Sequence, residues 1–440
     1  MKDILAVILA GGDSTRFWPL KEKTFFPIMG KPLLYHSLDR LKKAGIDEFL
    51  IVHTKANEKL VDDFIKVYPQ LKIIKALQTD NRSMAGAILS VGQIIKNRPV
   101  MFVGPEEVYD NDLPEMVVKS LSDSTEALMV GYEVDHYVPA GYLQIEDGLI
   151  KSIVEKPGAG KEPSNLVEFV LHYYRNPGKL TDKLKTFEGE EDDLHEKAVD
   201  QLMKEGEKYN FYHYKGYWGQ VKYPWSILEI SDYYLSKLDH QLMDPTVKIS
   251  PKAFVSGPVI LGPNVKIMAG ATVTGPCFIG ENTIIGTNAM VRNSMVGNDS
   301  VIGFSTEITR SYIGNNCWFH SNYIGDSVIS QNASFGAGAV TGNLRLDESE
   351  ISSKVGEVKI KTGRNKLGAI IGKNVRVGVN ASLMPGVKIG ENSIVGAGVV
   401  LNQDLPENKF CKLEQQYLTV DNITHDVGKG RDKFRNKLKI

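Results

Sequence analysis

From Ile249 onward an apolar residue returns at every sixth position, through Val255, Leu261, Ile267, Val273, Ile279, Ile285 and Val291, and the register resumes at Ile371, Val377, Leu383, Ile389 and Val395. A period of six fits neither the 3.6 of an amphipathic helix nor the two-residue alternation of a half-buried strand. It fits a coil whose flat faces take one hexad each, with the recurrent aliphatic side chain pointing into a narrow prism. Glycine or asparagine beside it takes the corner backbone. The region 249–420 is therefore expected to be a parallel β-helix. Between 342 and 369 the period lapses and charged residues gather, which predicts an arm leaving the prism.

Upstream the pattern changes. Short β-rich runs (Ile4 to Leu9, Glu48 to Val52, Val100 to Val103, Ala127 to Tyr132) alternate with helix-period segments (Leu33 to Ala44, Ala85 to Ile95). That alternation implies parallel strands joined by crossover helices, an α/β domain over residues 1–240. The 440 residues exceed one ordinary core, in keeping with two domains, and 241–248 is expected to link them. Residues 421–440 carry a basic cluster, Lys429, Arg431, Lys433, Arg435, Lys437 and Lys439, expected to be a solvated tail. The alternative is a tail that contacts the phosphates of a coenzyme at a subunit boundary.

A formal net charge of -1 gives no reason to expect nucleic acid or an anionic membrane as partner. Cys277, Cys317 and Cys411 are far apart and form no CxxC or Cys/His cluster, so neither a disulfide framework nor a zinc site is expected. The apolar run from Ile4 to Ala10 is preceded by Asp3 and followed by Gly11-Gly12, which suits a buried first strand rather than a signal segment. No apolar run reaches the roughly 20 residues of a membrane helix. The expected location is cytoplasmic.

The first strand leads into Leu9-Ala10-Gly11-Gly12-Asp13-Ser14-Thr15-Arg16, followed by Lys23 and Gly30-Lys31-Pro32-Leu33. Small residues here let backbone N–H groups approach phosphate oxygens, while Arg16 and Lys23 supply positive charge to a triphosphate. The arrangement resembles the signature of the sugar-1-phosphate nucleotidyltransferases, with Ser14 where that family has a second Gly and Glu22 before Lys23. Further blocks match in order: Met84-Ala85-Gly86-Ala87, Gly141, Glu155-Lys156-Pro157, Asn165, and Trp218 through Pro224. The resemblance implies a Rossmann-like (glycosyltransferase-A-like) fold. It implies nucleotide contacts by Leu9, Gly11, Gly12, Ser14, Thr15 and Gly86, catalytic roles for Arg16 and Lys23, and sugar-phosphate contacts by Gly141, Glu155, Lys156 and Asn165. The implied reaction is attack of a sugar phosphate oxygen on the α-phosphorus of a nucleoside triphosphate, expelling pyrophosphate with Mg²⁺. The metal ligands align with Glu106 and Gln220, each one methylene longer than the family's residue, so the site would have to shift or recruit Glu107 or Asp110.

In the second half, His320-Ser321-Asn322-Tyr323-Ile324-Gly325-Asp326-Ser327 precedes Phe335 to Thr341, Asn343, Arg364-Asn365-Lys366 and Ile371-Gly372. This resembles the left-handed β-helix acetyltransferase half of bifunctional N-acetylglucosamine-1-phosphate uridylyltransferase/glucosamine-1-phosphate acetyltransferases, the archaeal type in particular. The resemblance implies acetyl-CoA as cosubstrate, His320 as base, Tyr323 and Asn343 on the amino sugar, Lys366 on its phosphate, and Ala397 beside the thioester cofactor. Where family members carry a lysine before the histidine this chain has Cys317, Trp318 and Phe319, leaving Arg310 or Arg364 to replace that charge. Prisms of this kind imply a homotrimer. Two other readings stay open on the Glu106 and Gln220 departures: a regulatory subunit that senses a sugar nucleotide without turnover, and a chain in which only the acyltransferase half is active.

Overall fold

The computed structural model describes residues 3–12, 14–189, 191–423, 428 and 430–437. Asp13 of the Gly-rich turn and Lys429 and Lys439 of the basic cluster lie outside the described residues. The strands of the first domain are β1 (Leu5–Leu9), β2 (Pro27–Ile28), β3 (Lys31–Pro32), β4 (Glu48–His53), β5 (Lys72–Leu77), β6 (Val100–Val103), β7 (Glu107–Tyr109), β8 (Ala127–Glu133), β9 (Gly141–Glu146), β10 (Leu149–Glu155), β11 (Leu166–Tyr174), β12 (Tyr209–Tyr214) and β13 (Trp218–Gln220). Nine of them form one sheet in the order β5-β4-β1-β6-β11-β8-β12-β10-β9. β1 is apolar throughout because apolar clusters cover both faces of the sheet.

The all-parallel expectation holds for half of this sheet. β5, β4, β1 and β6 are parallel, but β11 runs antiparallel between β6 and β8, and β9–β10 is an antiparallel hairpin. The hairpin turns at Asp147-Gly148, both at positive φ (51° and 73°), as a two-residue turn matched to strand twist requires. β7 and β13 pair outside the sheet and bring Gln220 opposite Glu107. The loops after β1 and β6 thus open on one edge, where ligands bind in open α/β sheets.

The second domain is a left-handed parallel β-helix of three sheets. The recurrent aliphatic residues from Leu261 to Val395 are buried in one continuous column. The hexad register does not stop at Val291. Val296, Ile302, Ile308, Ile313, Phe319, Ile324, Ile329 and Phe335 continue the column. The coil shortens by one residue where Phe278 pairs with Met295 and by two where Tyr312 pairs with Val328, relative to the Ile260–Phe278 pairing. Shortened corners are turned by residues at positive φ, Asn293, Arg310, Ser321 and Asp326. Another corner carries an amide ladder in which Asn316 donates to Asn332, Asn332 to Asn374, Asn374 to Asn392 and Asn392 to Asn408 over 2.8 to 3.2 Å. Asn tolerates the left-handed region better than most residues, and its side chain satisfies the corner.

The 241–248 stretch is not a free linker. Leu242–Met243 and Lys248–Ile249 are strands of the first coil, paired with Ile260–Leu261 and Lys266–Ile267. The chain leaves the prism after Thr341, forms an antiparallel hairpin of Ser352–Val355 with Val358–Lys361, and returns at Ile370. The tail helix Arg431–Lys437 is exposed throughout. No helix among the described residues is long and apolar enough to cross a membrane.

One prism sheet presents Phe278, Met295, Tyr312, Val328 and Ile370 outward, in register. Met295, Tyr312, Val328 and Ile370 share one apolar cluster with Phe17, Phe26, Ile28, Leu33, Trp225 and Leu228 of the α/β domain, and Ile351 and Leu367 of the arm join it. Each such large side chain contributes about 1.5–3 kcal/mol when fully buried. The two domains are therefore fused through a common core.

Inside the prism, Phe319 and Phe335 stack at 5.1 Å with no exposure to speak of. Phe319→Ala is expected to lower the unfolding free energy by about 3–5 kcal/mol, read from urea titration of the full chain.

Candidate functional site

The edge above β1 and β6 holds a cavity of about 1010 Å³ lined by Leu9, Gly11, Gly12, Gln78, Met84, Glu106 and Gln220 among others. Gly11 lies against Gln78: a Cβ there would stand 1.9 Å from Gln78 Oε1, so a larger residue would displace that side chain. Gln78 is in turn held by its amide donating to the Asp80 carbonyl at 2.8 Å. Ser14 sits at φ 54° and starts the short Thr15–Phe17 turn, on which Arg16 is exposed. Gly86, expected to contact the nucleotide, is a buried residue of the helix Ser83–Ser90. A Cβ at Gly86 would meet the Asp80 carbonyl oxygen at 2.4 Å, so this glycine lets the helix Ser83–Ser90 pack on its own entry loop. Met84 and Ala87 are the residues of that helix that line the cavity.

At the phosphate end, Lys23 Nζ lies 2.7 Å from Glu106 Oε1. Glu107 is buried and accepts from Trp218 Nε1 at 2.7 Å and from Gln220 Nε2 at 2.8 Å. Asp110 is occupied by Tyr214, the Tyr217 backbone N–H, Tyr233 and Lys237. Neither Glu107 nor Asp110 is therefore free to be recruited by a metal. Glu106 and Gln220 keep an oxygen each, which fits a cation such as Mg²⁺ that binds through one or two protein oxygens and takes the rest from phosphates and water.

At the far end Gly141 pairs with Glu155 across the hairpin, and a Cβ at Gly141 would sit 3.1 Å from Glu168 Oε1. Carboxylate oxygens of Glu155, Glu168 and Glu196 lie within 4.8 Å of one another. Burial, with Glu196 alongside, pushes Glu168 up to about 8 and Glu155 up to about 7. Burial pushes His172 down to about 4, and its Nε2 shares a 2.6 Å hydrogen bond with Glu168. Lys156 bridges Glu155 at 2.9 Å and Asp192 at 2.6 Å. Lys222 joins them: burial pushes its ammonium down to about 8, with Arg16 and Lys156 adding repulsion. Asn165 stands outside this group, exposed at the start of β11, its carbonyl accepting from the Val134 N–H. Glu168, three residues further along, lies inside the group. Glu168, Val170 and His172 alternate along a buried strand, and two polar residues in that pattern are the signal that pointed there.

On the prism, His320 is an exposed corner residue whose backbone N–H donates to Asn322 Oδ1 at 2.5 Å. Tyr323 begins the following strand, and its hydroxyl accepts from Asn343 Nδ2 at 3.2 Å. Asn343 also donates to Asp326 at 2.5 Å, and Arg310 forks onto both Asp326 oxygens at 2.7 Å. Lys366, exposed, pairs through its backbone with Leu344 just past Asn343. Tyr323, Asn343 and Lys366 thus share one corner, where the arm leaves and returns. Arg310 is committed to Asp326, and Arg364 lies beside Glu229 and Asp232 of the α/β domain, so neither stands as a free cation next to His320. Ala397 is an exposed corner residue three coils beyond His320, packed against Gly378.

A large cavity beside a Gly-rich turn and the Lys23–Glu106 pair, in a domain fused to a hexapeptide prism, marks a two-domain transferase. The Nucleotidyl transferase family matches residues 5–237, GMPPB C-terminal domain matches 238–360, and Bacterial transferase hexapeptide (six repeats) matches 368–403. The chain belongs to the nucleotidyl transferase family, in the form that carries a hexapeptide-repeat C-terminal half. It is 32% identical over 417 residues to "Bifunctional protein GlmU" of Methanocaldococcus jannaschii, covering 92% of this chain and 96% of that one. It is 30% identical over 414 residues to "Bifunctional sugar-1-phosphate nucleotidylyltransferase/acetyltransferase" of Sulfurisphaera tokodaii, covering 93% of this chain and 100% of that one. A solved UDP-glucose pyrophosphorylase complexed with UDP-glucose superposes with a TM-score of 0.47 at 20% identity, over 53% of this chain and 99% of its own.

Burial, opposed by the Trp218 and Gln220 hydrogen bonds, pushes Glu107 up from 4.5 to about 8. The folded state then favours its protonated form, so Glu107's contribution to stability is full below about pH 4.5 and is lost as pH rises through about 8. Glu107→Gln removes this titration. Whatever constant offset the altered hydrogen bonding causes, the Tm of the variant minus that of the wild type is expected to rise between pH 5 and pH 9; a flat difference would show that Glu107 is ionised throughout.

Proposed function

We propose that the chain joins a nucleoside triphosphate to a sugar 1-phosphate, releasing pyrophosphate, and that its prism transfers an acetyl group from acetyl-CoA to the amine of an amino-sugar 1-phosphate. The observation that carries the first reaction is one large cavity lined by the Gly11-Gly12 turn, by Glu106 with its partner Lys23 behind it, and by Asp192, the partner of Lys156. The names of the relatives support the pairing of the two activities.

In this reading an oxygen of the sugar phosphate attacks the α-phosphorus, and the bond from that phosphorus to the bridging oxygen breaks as pyrophosphate leaves. Leu9, Gly11, Gly12, Ser14 and Thr15 hold the nucleotide, and Arg16 and Lys23 neutralise its phosphates. Lys23 would exchange Glu106 for a phosphate oxygen on binding, leaving Glu106 free. Glu106 with Gln220 would hold Mg²⁺, which supplies charge neutralisation on the phosphates. Lys156 and Lys222 take the sugar phosphate, and Glu155, Glu168 and Glu196 face the sugar hydroxyls beside Gly141. Protonated carboxyls there donate as well as accept, which suits a polyol.

On the prism, His320 takes the proton of the sugar amine as its nitrogen attacks the thioester carbonyl, and the coenzyme A sulfur leaves and is protonated. Tyr323 and Asn343 position the sugar, Lys366 holds its phosphate, and the coenzyme lies along the coil near Ala397. We further propose a homotrimer built through the prism and a cytoplasmic location.

Incubation of the full chain with each nucleoside triphosphate, a set of sugar 1-phosphates and Mg²⁺ is expected to release pyrophosphate for at least one pair. Lys23→Ala is expected to lower kcat/KM for that pair by about 10²–10³. Silence across the whole set would overturn the first reaction. In an acetyl-CoA assay on amino-sugar 1-phosphates, His320→Ala is expected to lose about 10²–10⁴ in rate while pyrophosphate release is unchanged; equal acetylation by both proteins would remove His320 from its role.

A further inference from the structure

Residues 15–33 carry both proposed triphosphate cations, yet they have little regular structure of their own. They form the turns Thr15–Phe17 and Lys23–Phe25 and the two-residue strands β2 and β3. Ser14, Glu22 and Met29 all sit at positive φ, between 50° and 55°, a conformation that costs a non-glycine residue about 1–2 kcal/mol each. Local preference therefore does not select this path, and tertiary contacts must.

Many of those contacts come from the prism. Phe17, adjacent to Arg16, is fully buried and packs edge-to-face on Phe26 at 5.6 Å. Phe26 packs on Tyr312 of the prism at 4.9 Å between ring centroids. The Lys388 ammonium lies 5.0 Å from the centre of the Trp18 ring. Lys21 pairs with Glu391 at 2.9 Å and with Glu407 at 3.2 Å. At Gly372 a Cβ would stand 3.0 Å from the Pro19 carbonyl oxygen, so the chains touch backbone to backbone. Phe17, Trp18 and Lys21, which stand between Arg16 and Lys23 in the chain, thus rest directly or through Phe26 on the prism, while Phe25 packs on Phe64 of its own domain.

We infer that Tyr312, supported by Lys388, Glu391 and Glu407, is a positioning residue for nucleoside triphosphate binding in the other domain. It touches no reactant; it sets where Arg16 and Lys23 stand by fixing the floor beneath Phe26 and Phe17. The inference rests on the nucleotidyl-transfer reading. Its physical basis is that charge-assisted bonds to phosphate demand placement to a fraction of an ångström, so a floor that yields weakens them without removing a ligand.

The test uses the full chain with Mg²⁺ and the nucleoside triphosphate on which the wild type is most active, measuring triphosphate affinity by calorimetry alongside KM for each substrate. Tyr312→Ala is expected to weaken triphosphate binding by about tenfold, the loss of one charge-assisted bond. KM for the sugar 1-phosphate and the rate of acetyl transfer should hold at wild-type values. Tyr312→Phe, which keeps the ring on Phe26, should restore affinity. Glu391→Gln combined with Glu407→Gln removes only half-exposed ion pairs and should weaken binding by about two- to threefold, and this surface variant carries the test should Tyr312→Ala fail to fold. Unchanged triphosphate affinity in the variants overturns the inference, as does a parallel loss of acetyl transfer, which would mark general damage to the fold. A wild type that binds no nucleoside triphosphate overturns instead the proposed function on which the inference stands.

Discussion

The structure depends on one apolar seam. A prism sheet that turns Met295, Tyr312, Val328 and Ile370 outward, where a solvated coil would place polar residues, is covered by Phe17, Phe26, Leu33 and Trp225 of the preceding domain. Removing that cover would expose a contiguous hydrophobic strip, and removing the strip would leave the phosphate-facing segment without a floor. The seam therefore does two things at once: it closes the core of both domains, and it fixes the path of residues whose local conformation is unfavourable. The arm belongs to the same arrangement, since Ile351 and Leu367 enter the seam while its flanks carry Asn343 and Lys366 to the prism corner.

Two lysines of the candidate site have carboxylate partners of their own. Lys23 is paired with Glu106, and Lys156 with Glu155 and Asp192. In the proposed reaction an anionic substrate would replace these partners, with Lys23 and Lys156 held in position before it arrives. The sugar end solves a different problem. Carboxyls as close as Glu155, Glu168 and Glu196 cannot all be ionised in a buried place, and the raised Glu155 and Glu168 with neutral His172 show how the repulsion is relieved. The outcome is a surface with both donors and acceptors, where a set of bare carboxylates would only accept.

Much of this was legible along the chain. The hexad column is a one-dimensional signal, because each buried aliphatic residue answers to the same corner geometry, and so the prism could be named from Ile249 to Val291 alone. The strand-turn-cation order from Leu9 to Lys23 was equally local. What escaped was whatever depended on a partner far away in sequence. The column from Val296 to Phe335 hid behind five-residue steps that a strict period cannot follow, although the positive-φ residues Asn293, Arg310 and Asp326 restore the register. Glu168 was not singled out, since alternation on β11 is visible only once the strand's buried face is known. That Gly86 packs against Asp80 was likewise invisible along the chain.

Periodicity, small-residue turns and the order of charged motifs are properties of neighbours in the chain, and they sufficed to set the two fold types, their order and the chemistry of each cleft. Which residues stand together is a property of the folded chain. That Glu107 and Asp110 are spent on hydrogen bonds, that Glu155 meets Glu196, and that Tyr312 lies under the segment bearing Lys23 were decided only by tertiary packing, because each joins residues between about 40 and 290 positions apart whose affinity for one another appears once water is excluded from between them.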